Sequence, residues 1–228
     1  KAQGRNYLAS MGIYVFNKEI LHQFLNELHP NATDFGKEII PDSIANYKVL
    51  SYQYDGYWTD IGNIYSFFEA NIALTADIPP FNLFDSAKTI YTRSRMLPPA
   101  KISGTIINKA IIAEGSIIHA KEIKQSVIGI RSRIGEGTVI KNAYIMGCDY
   151  YETIEQIHQK TLSGKPILGI GERCIIEDAI VDKNCSIGND VHIKGGAHLE
   201  KVDHPLYTIK DHIIVIKKGA IIPNGYKI

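Results

Sequence analysis

Asp60 stands in the loop Tyr57-Trp-Thr-Asp-Ile-Gly62, held between an aromatic pair and a glycine just ahead of a helical pattern. A carboxylate in that setting suits a hard cation such as Mg²⁺, which takes one or two carboxylates and completes its shell with phosphate and water. The same Asp could instead cap the helix that begins near Asn63. Ser10 and Gly12 lie inside the mostly apolar run Tyr7–Phe16. Small residues within a strand mark close approach of a ligand or tight packing against a neighbouring element, and the pattern does not separate the two. Basic residues gather at Arg93 and Arg95, at Arg131 and Arg133, and at Lys217-Lys218. Read alone, each is solvated charge. Cys148, Cys174 and Cys185 are odd in number and lack metal-ligand spacing, which fits free thiols in a reducing compartment. No nucleophile triad, zinc motif or nucleic-acid patch stands out.

The elements that must position these residues follow two different patterns. From Ile102 to Ile228 an aliphatic residue recurs every six positions: Ile112 and Ile118; Ile128, Ile134 and Ile140; Ile170 and Ile176; Val181, Ile187 and Ile193; Ile216 and Ile222. Small or turn-forming residues usually follow. This beat is the signature of a hexapeptide β-helix, in which each hexad is one short strand and a turn and about three hexads close a triangular coil. One coil cannot bury its aliphatic residues alone, so stability comes from stacking on neighbours. Breaks are expected at about 148–166, where Tyr150-Tyr-Glu-Thr-Ile-Glu-Gln could form a helical excursion, and at Gly195–Asp211.

Residues 1–76 read instead as mixed α/β. A strand is expected over Tyr7–Phe16. A helix capped by Asn17 carries Ile20, Leu21, Phe24, Leu25 and Leu28 on one face and stops at His29-Pro30-Asn31. A short helix around Lys37–Ile39 and a strand over Lys48–Tyr54 follow, and a helix from about Asn63 to Ala76 buries Ile64, Phe67, Phe68 and Ile72. Two strands are too small a sheet for these helices, so the segment reads as the closing part of a larger sheet. Residues 77–101 form a linker bracketed by Pro79-Pro80 and Pro98-Pro99, with Thr89-Ile-Tyr-Thr as a further candidate strand. The domain reading is therefore 1–76, 77–101 and 102–228.

A net charge of +1 argues against general attraction to nucleic acid or anionic membranes, and no run of about 18 apolar residues offers a membrane span. No signal peptide is visible, and a chain that begins with Lys1 is expected to be a piece of something longer.

Several blocks together resemble the ADP-glucose pyrophosphorylases (glucose-1-phosphate adenylyltransferases). They are Leu8-Ala-Ser-Met-Gly-Ile-Tyr-Val-Phe, Asp34-Phe-Gly-Lys-Glu-Ile-Ile-Pro41, Gly56-Tyr-Trp-Thr-Asp-Ile-Gly, Glu69-Ala-Asn71, Leu97-Pro-Pro, Met146-Gly-Cys-Asp-Tyr-Tyr-Glu and Asp182-Lys-Asn. Asp-Tyr-Tyr-Glu-Thr with Gly169-Ile-Gly looks most like the plant and cyanobacterial branch. The resemblance implies the remnant of a nucleotidyltransferase domain followed by a left-handed parallel β-helix serving regulation and assembly, in a homo- or hetero-tetramer. The implied reaction joins ATP and glucose 1-phosphate into ADP-glucose and pyrophosphate. Ser10 would contact glucose 1-phosphate, and Asp60 would be one of two carboxylates holding the catalytic Mg²⁺. Arg95 and Lys218 match positions facing an anionic effector, a phosphorylated metabolite or phosphate, with Lys194 close to a third such position.

The family's glycine-rich nucleotide loop, its other metal Asp and its Glu-Lys-Pro motif do not occur in these 228 residues. A cradle of backbone N–H groups is what holds the phosphates of ATP. The chain is accordingly expected to be inactive alone, and ADP-glucose synthesis by it, purified, would refute that. The implied compartment is bacterial cytoplasm or the plastid stroma. Two rivals remain. His119, His192 and His198 invite comparison with hexapeptide acyltransferases, for which acetyl-CoA binding lost on His119→Ala would speak. A regulatory or scaffold subunit without catalysis would show itself by a co-purifying partner that supplies all the activity.

Overall fold

The computed structural model describes residues 9–228, and the chain divides into two compact units, Lys1–Gly56 and Tyr57–Ile228. The described part of the first unit is helical. Helix α1 (Lys18–Gln23) starts after Asn17 and runs into a π-helical turn, Phe24–Leu28, that ends at His29. A second π-helical turn, Phe35–Ile39, is capped by Asp34, whose side chain accepts from the Lys37 N–H, and continues into α2 (Ile40–Asn46). Pro41 stands in the first turn of α2. The core here is small: Phe24 and Ile39 are buried, and the Phe24 ring packs against Tyr47 and stacks on His29. Tyr7 and Leu8 lie outside the described residues, and among the described residues neither expected strand forms. Residues 9–16 bend at Gly12 (φ 72°) and Lys48–Tyr54 is irregular, because the described residues of this unit supply no partner strand to complete a ladder.

The second unit is a parallel β-helix with one helix laid on its flank. That helix, α3 (Ile64–Ile72), is capped by Asn63, whose Oδ1 accepts from the Ser66 N–H at 2.7 Å. Residues 76–100 contain no strand, so Thr89–Thr92 stays irregular. Six two-residue strands, β1 (Lys101–Ile102), β3 (Ile117–Ile118), β5 (Arg133–Ile134), β7 (Gly169–Ile170), β9 (Ser186–Ile187) and β14 (Ile221–Ile222), stack in that order as one parallel sheet. Four seven-residue strands, β2 (Ile106–Ile112), β4 (Glu122–Ile128), β6 (Val139–Ile145) and β8 (Ile175–Val181), stack likewise.

Inside run three aliphatic columns. Ile118, Ile134, Ile170, Ile187 and Ile222 form the first; Ile123, Ile140, Ile176 and Ile193 the second; Ile128, Ile145, Val181 and Ile216 the third, and all are buried. Each fully buried aliphatic side chain is worth about 1.5–3 kcal/mol relative to exposure. Ile123 and Ile145 are off the six-residue beat. Ile123 lies five residues from both Ile118 and Ile128, and each long strand turns a corner at a residue with positive φ: Lys109 (51°), Gln125 (47°), Asn142 (44°) and Asp178 (50°). A left-handed residue tightens the corner, so the inward residues either side are five apart there, as in Ile140 to Ile145. The corner residues stack, and Asn142 donates to Asp178 Oδ1 at 2.6 Å.

Both interruptions are built structures. The first carries helix α4 (Ile154–Leu162) with a capping box between Thr153 and Gln156. The second opens at the left-handed corner: β8 pairs with β10 (His192–Lys194) through Ile175–Glu177 and with β13 (Ile213–Ile216) through Ala179–Val181. Between them, β11 (Val202–Asp203) and β12 (Tyr207–Lys210) extend β13 as antiparallel strands. On the outside of the β-helix, Phe68 and Ile72 of α3 are buried against Ile180 and Ile213, with Phe67 against the Tyr144 ring at 5.6 Å. Among the described residues no helix is long and apolar enough to cross a membrane.

Candidate functional site

Asp60 lies in the irregular segment that leads into α3, and its carboxylate is exposed. Its Oδ1 accepts the Gly62 N–H at 3.0 Å. A Cβ at Gly62 would sit 3.2 Å from that oxygen, so glycine lets the loop close around the carboxylate. The cap of α3 is Asn63, not Asp60. Asn63-x-x-Ser66 is a capping spacing visible in the sequence, and reading it would have released Asp60 from that role at once. Among the described residues Oδ2 accepts no hydrogen bond, which leaves one oxygen for a ligand. No three His, Cys, Asp or Glu side chains among the described residues are grouped to hold a metal by themselves. A single outward carboxylate fits Mg²⁺ as one ligand of a shell completed by phosphate and water.

Ser10 belongs to the first unit and Asp60 to the second. Ser10 is exposed; its Oγ lies 2.9 Å from the Tyr14 hydroxyl and accepts the Gly12 N–H at 3.2 Å. The hydroxyl is thus fixed in direction by a turn at Gly12 rather than by a strand.

The three basic positions occupy different places on the β-helix. Arg95 is exposed and donates to the Arg93 carbonyl at 2.8 Å, just before Pro98, whose carbonyl accepts the Gly115 N–H. Lys218 is exposed in the turn before β14. The strands flanking Arg95 and Lys218, β1 and β14, are the two ends of the six-stranded sheet, about 24 Å apart at the usual inter-strand spacing. Lys194 ends β10, with its ammonium 3.9 Å from Glu177. Beside Lys218, the Lys183 ammonium, together with Asn184, holds the Asp149 carboxyl below the usual carboxylate range. His119 and His198 are exposed, and His192 is half-buried on β10. All three thiols are buried, which pushes their pKa values up, Cys185 to about 12.

Two family models match this chain. Residues 95–226 match the GLGC left-handed parallel beta-helix domain, over more than half its length. The chain belongs to that family. Residues 1–77 match the nucleotidyl transferase family. The GLGC match makes the coil left-handed, and the two in succession give the order of the molecule, a nucleotidyltransferase portion followed by a GLGC-type β-helix. Asp60 and α3 lie within the nucleotidyl transferase match, although α3 packs on the β-helix.

Proposed function

We propose that this chain serves the synthesis of ADP-glucose and pyrophosphate from ATP and glucose 1-phosphate. The observation that carries the reading is the succession of a nucleotidyl transferase match and a GLGC β-helix match, with the Asp60 carboxylate turned outward inside the first. A phosphate oxygen of glucose 1-phosphate attacks the α-phosphorus of ATP and pyrophosphate leaves, so no covalent enzyme intermediate is needed. Asp60 would be one of two carboxylates that hold Mg²⁺. When bound, that ion neutralises charge developing on the phosphates. The Ser10 hydroxyl, directed by Tyr14 and Gly12, donates to the phosphate of glucose 1-phosphate.

Arg95, Lys218 and Lys194 are anion positions for phosphorylated or phosphate effectors. The protein works as a tetramer of the plant and cyanobacterial type. The 228 residues contain no glycine cluster placed to cradle a triphosphate, so by themselves they make no ADP-glucose.

Asp60→Asn keeps the size and the Oδ1 acceptor for Gly62 and removes the charge. In the enzyme that contains this chain, kcat for ADP-glucose synthesis should fall about 10²–10³-fold, as for loss of one group that stabilises transition-state charge. An unchanged rate over a Mg²⁺ titration would sink the assignment.

A further inference from the structure

The β-helix also carries two arginines that have no acid partner among the described residues, at a concavity formed where the α4 excursion leaves the coil. Ile117, Arg131, Arg133, Tyr150, Tyr151 and Glu152 line it. Arg133 is on β5 beside inward-facing Ile134, so its side chain stands on the outer face of the sheet. Its neighbour in the next coil is Gly169, at φ 112°, where a Cβ would come within 2.8 Å of the Arg133 Cβ. Glycine therefore leaves the face next to Arg133 open. Arg131 turns a corner at φ 55° and holds its guanidinium 5.7 Å from the centre of the Tyr151 ring. That ring is fixed in turn, because its hydroxyl donates to the Gly115 carbonyl at 2.8 Å.

The one carboxylate in the wall is already engaged. Glu152 pairs with Lys160 and accepts the Leu168 N–H at 2.8 Å, and its side chain is 8% exposed. Among the described residues neither Arg131 nor Arg133 has a carboxylate within ion-pairing distance, whereas Arg173 on the same β-helix is gripped by Asp190 and Glu172. The concavity thus presents two guanidinium charges without a carboxylate partner among the described residues, beside two tyrosine rings; Arg131 is held by the Tyr151 ring and donates to the Cys148 carbonyl at 3.5 Å, and Arg133 is exposed.

We propose that this concavity binds a small organophosphate, its phosphate on Arg131 and Arg133 and its organic part against Tyr150 and Tyr151. A guanidinium fork matches phosphate oxygens in plane, and two such cations favour a dianion over a single carboxylate. The tyrosine rings offer the apolar wall that small-ligand pockets place beside a few polar anchors. The lining includes neither Arg95 nor Lys218, and the proposal does not depend on the nucleotidyl transfer reading.

The test is titration of this chain with inorganic phosphate and with phenyl phosphate at constant ionic strength, followed by backbone amide NMR. Saturable shifts are expected at Ser132, Arg133 and Tyr150–Glu152, with phenyl phosphate the tighter. Arg133 is exposed, so Arg133→Gln should leave thermal melting unchanged while weakening both probes about tenfold, the value of one charged hydrogen bond. Tyr150→Ala should erase the advantage of phenyl phosphate. Absence of saturation at millimolar probe, indifference to Arg133→Gln, or loss on Lys218→Gln instead would each overturn the proposal. Equal affinity for the two probes would overturn its organic part.

Discussion

The two units of this chain bury their side chains in opposite ways. In the β-helix each coil supplies one member of every aliphatic column, and the backbone groups of one coil are satisfied by the next, as in Ile117 N–H to Ser132 O at 2.8 Å and Gly135 N–H to Ile170 O at 2.9 Å. Among the described residues of the first unit there is no strand, and its buried apolar side chains are Phe24 and Ile39, while Val15, Leu50 and Tyr52 are 97%, 82% and 89% exposed. A repeat architecture is satisfied by its own neighbours along the chain. A segment patterned for a sheet it does not itself contain is left with apolar residues on its surface. The difference teaches that local pattern is enough for structure only where the partner is another copy of the same pattern.

The largest break of that contrast comes from the columns. Ile176→Ala empties a fully buried position between Ile140 and Ile193 and should cost about 2–5 kcal/mol in the β-helix transition on urea unfolding. Ile44→Ala in the first unit removes a side chain that is 62% exposed and should change stability by no more than about 0.5 kcal/mol. Equal effects would mean that the columns do not carry the fold. Next in size is the rise of the buried thiols. All three cysteines lie in the β-helix unit, and burial raises each; Cys185 goes from an ordinary 9.0 to about 12. A raised folded pKa means the native state holds its proton longer than the unfolded state. For Cys185 the associated stability is therefore complete below about pH 9 and declines as pH rises towards 12, by up to about 1.4 kcal/mol per pH unit. In Cys185→Ala the decline between those limits should be shallower than in the parent. Parallel curves would show that burial is not what holds this thiol protonated.

Glycines sharpen the contrast within the coil itself. A Cβ at Gly135 would meet the Gly171 backbone at 2.6 Å, so Gly135→Ala forces two coils apart and should cost about 1–3 kcal/mol. At Gly219 a Cβ meets nothing within 4 Å, and only the φ of 72° resists it, at about 1–2 kcal/mol. Restoring the left-handed preference by Gly219→Asn instead of Ala should recover part of the second cost, while Gly135→Asn should be worse than Gly135→Ala. The reverse order would place the strain in the backbone dihedral at both sites.

Much of the β-helix was legible in the sequence because an inward isoleucine is its own signal. Ile118, Ile134, Ile140, Ile170, Ile176, Ile187 and Ile193 lie on the beat and in the core. Ile123 and Ile145 were hidden, since the corners that shorten the repeat are turned by Lys109, Gln125, Asn142 and Asp178, residues without the glycine that usually announces a left-handed turn. The apolar face of α3 was legible too, but not its partner, because Tyr144, Ile180 and Val215 point out of a coil whose inward residues alone carry the periodicity. The expected strands at 7–16 and 48–54 do not form among the described residues, since strand propensity counts only when another strand completes the ladder. At the candidate site Asp60 was legible as a carboxylate in a loop, whereas the unpaired state of Arg131 and Arg133 was not. Charge pairing depends on which coils stack, and no spacing along the chain reveals it.

The smallest effect concerns the α4 excursion, which borrows its order from caps rather than from a core. None of the residues of α4 is buried, Ile154 and Leu162 are 87% and 76% exposed, and a capping box closes its start. Thr153 Oγ1 accepts the Gln156 N–H at 3.2 Å, and Gln156 Oε1 accepts the Thr153 N–H at 2.8 Å. Thr153→Ala removes one half of that exchange at a typical cost of about 1 kcal/mol. Because α4 adds nothing to the aliphatic columns, that cost should stay local. Hydrogen exchange of the amides in Ile154–Leu162 should accelerate about fivefold, while protection in β4, β6 and β8 is unchanged. If protection in the columns fell together with α4, the excursion would be part of the cooperative stack, and the contrast between repeat-borne and cap-borne order would fail within the β-helix itself.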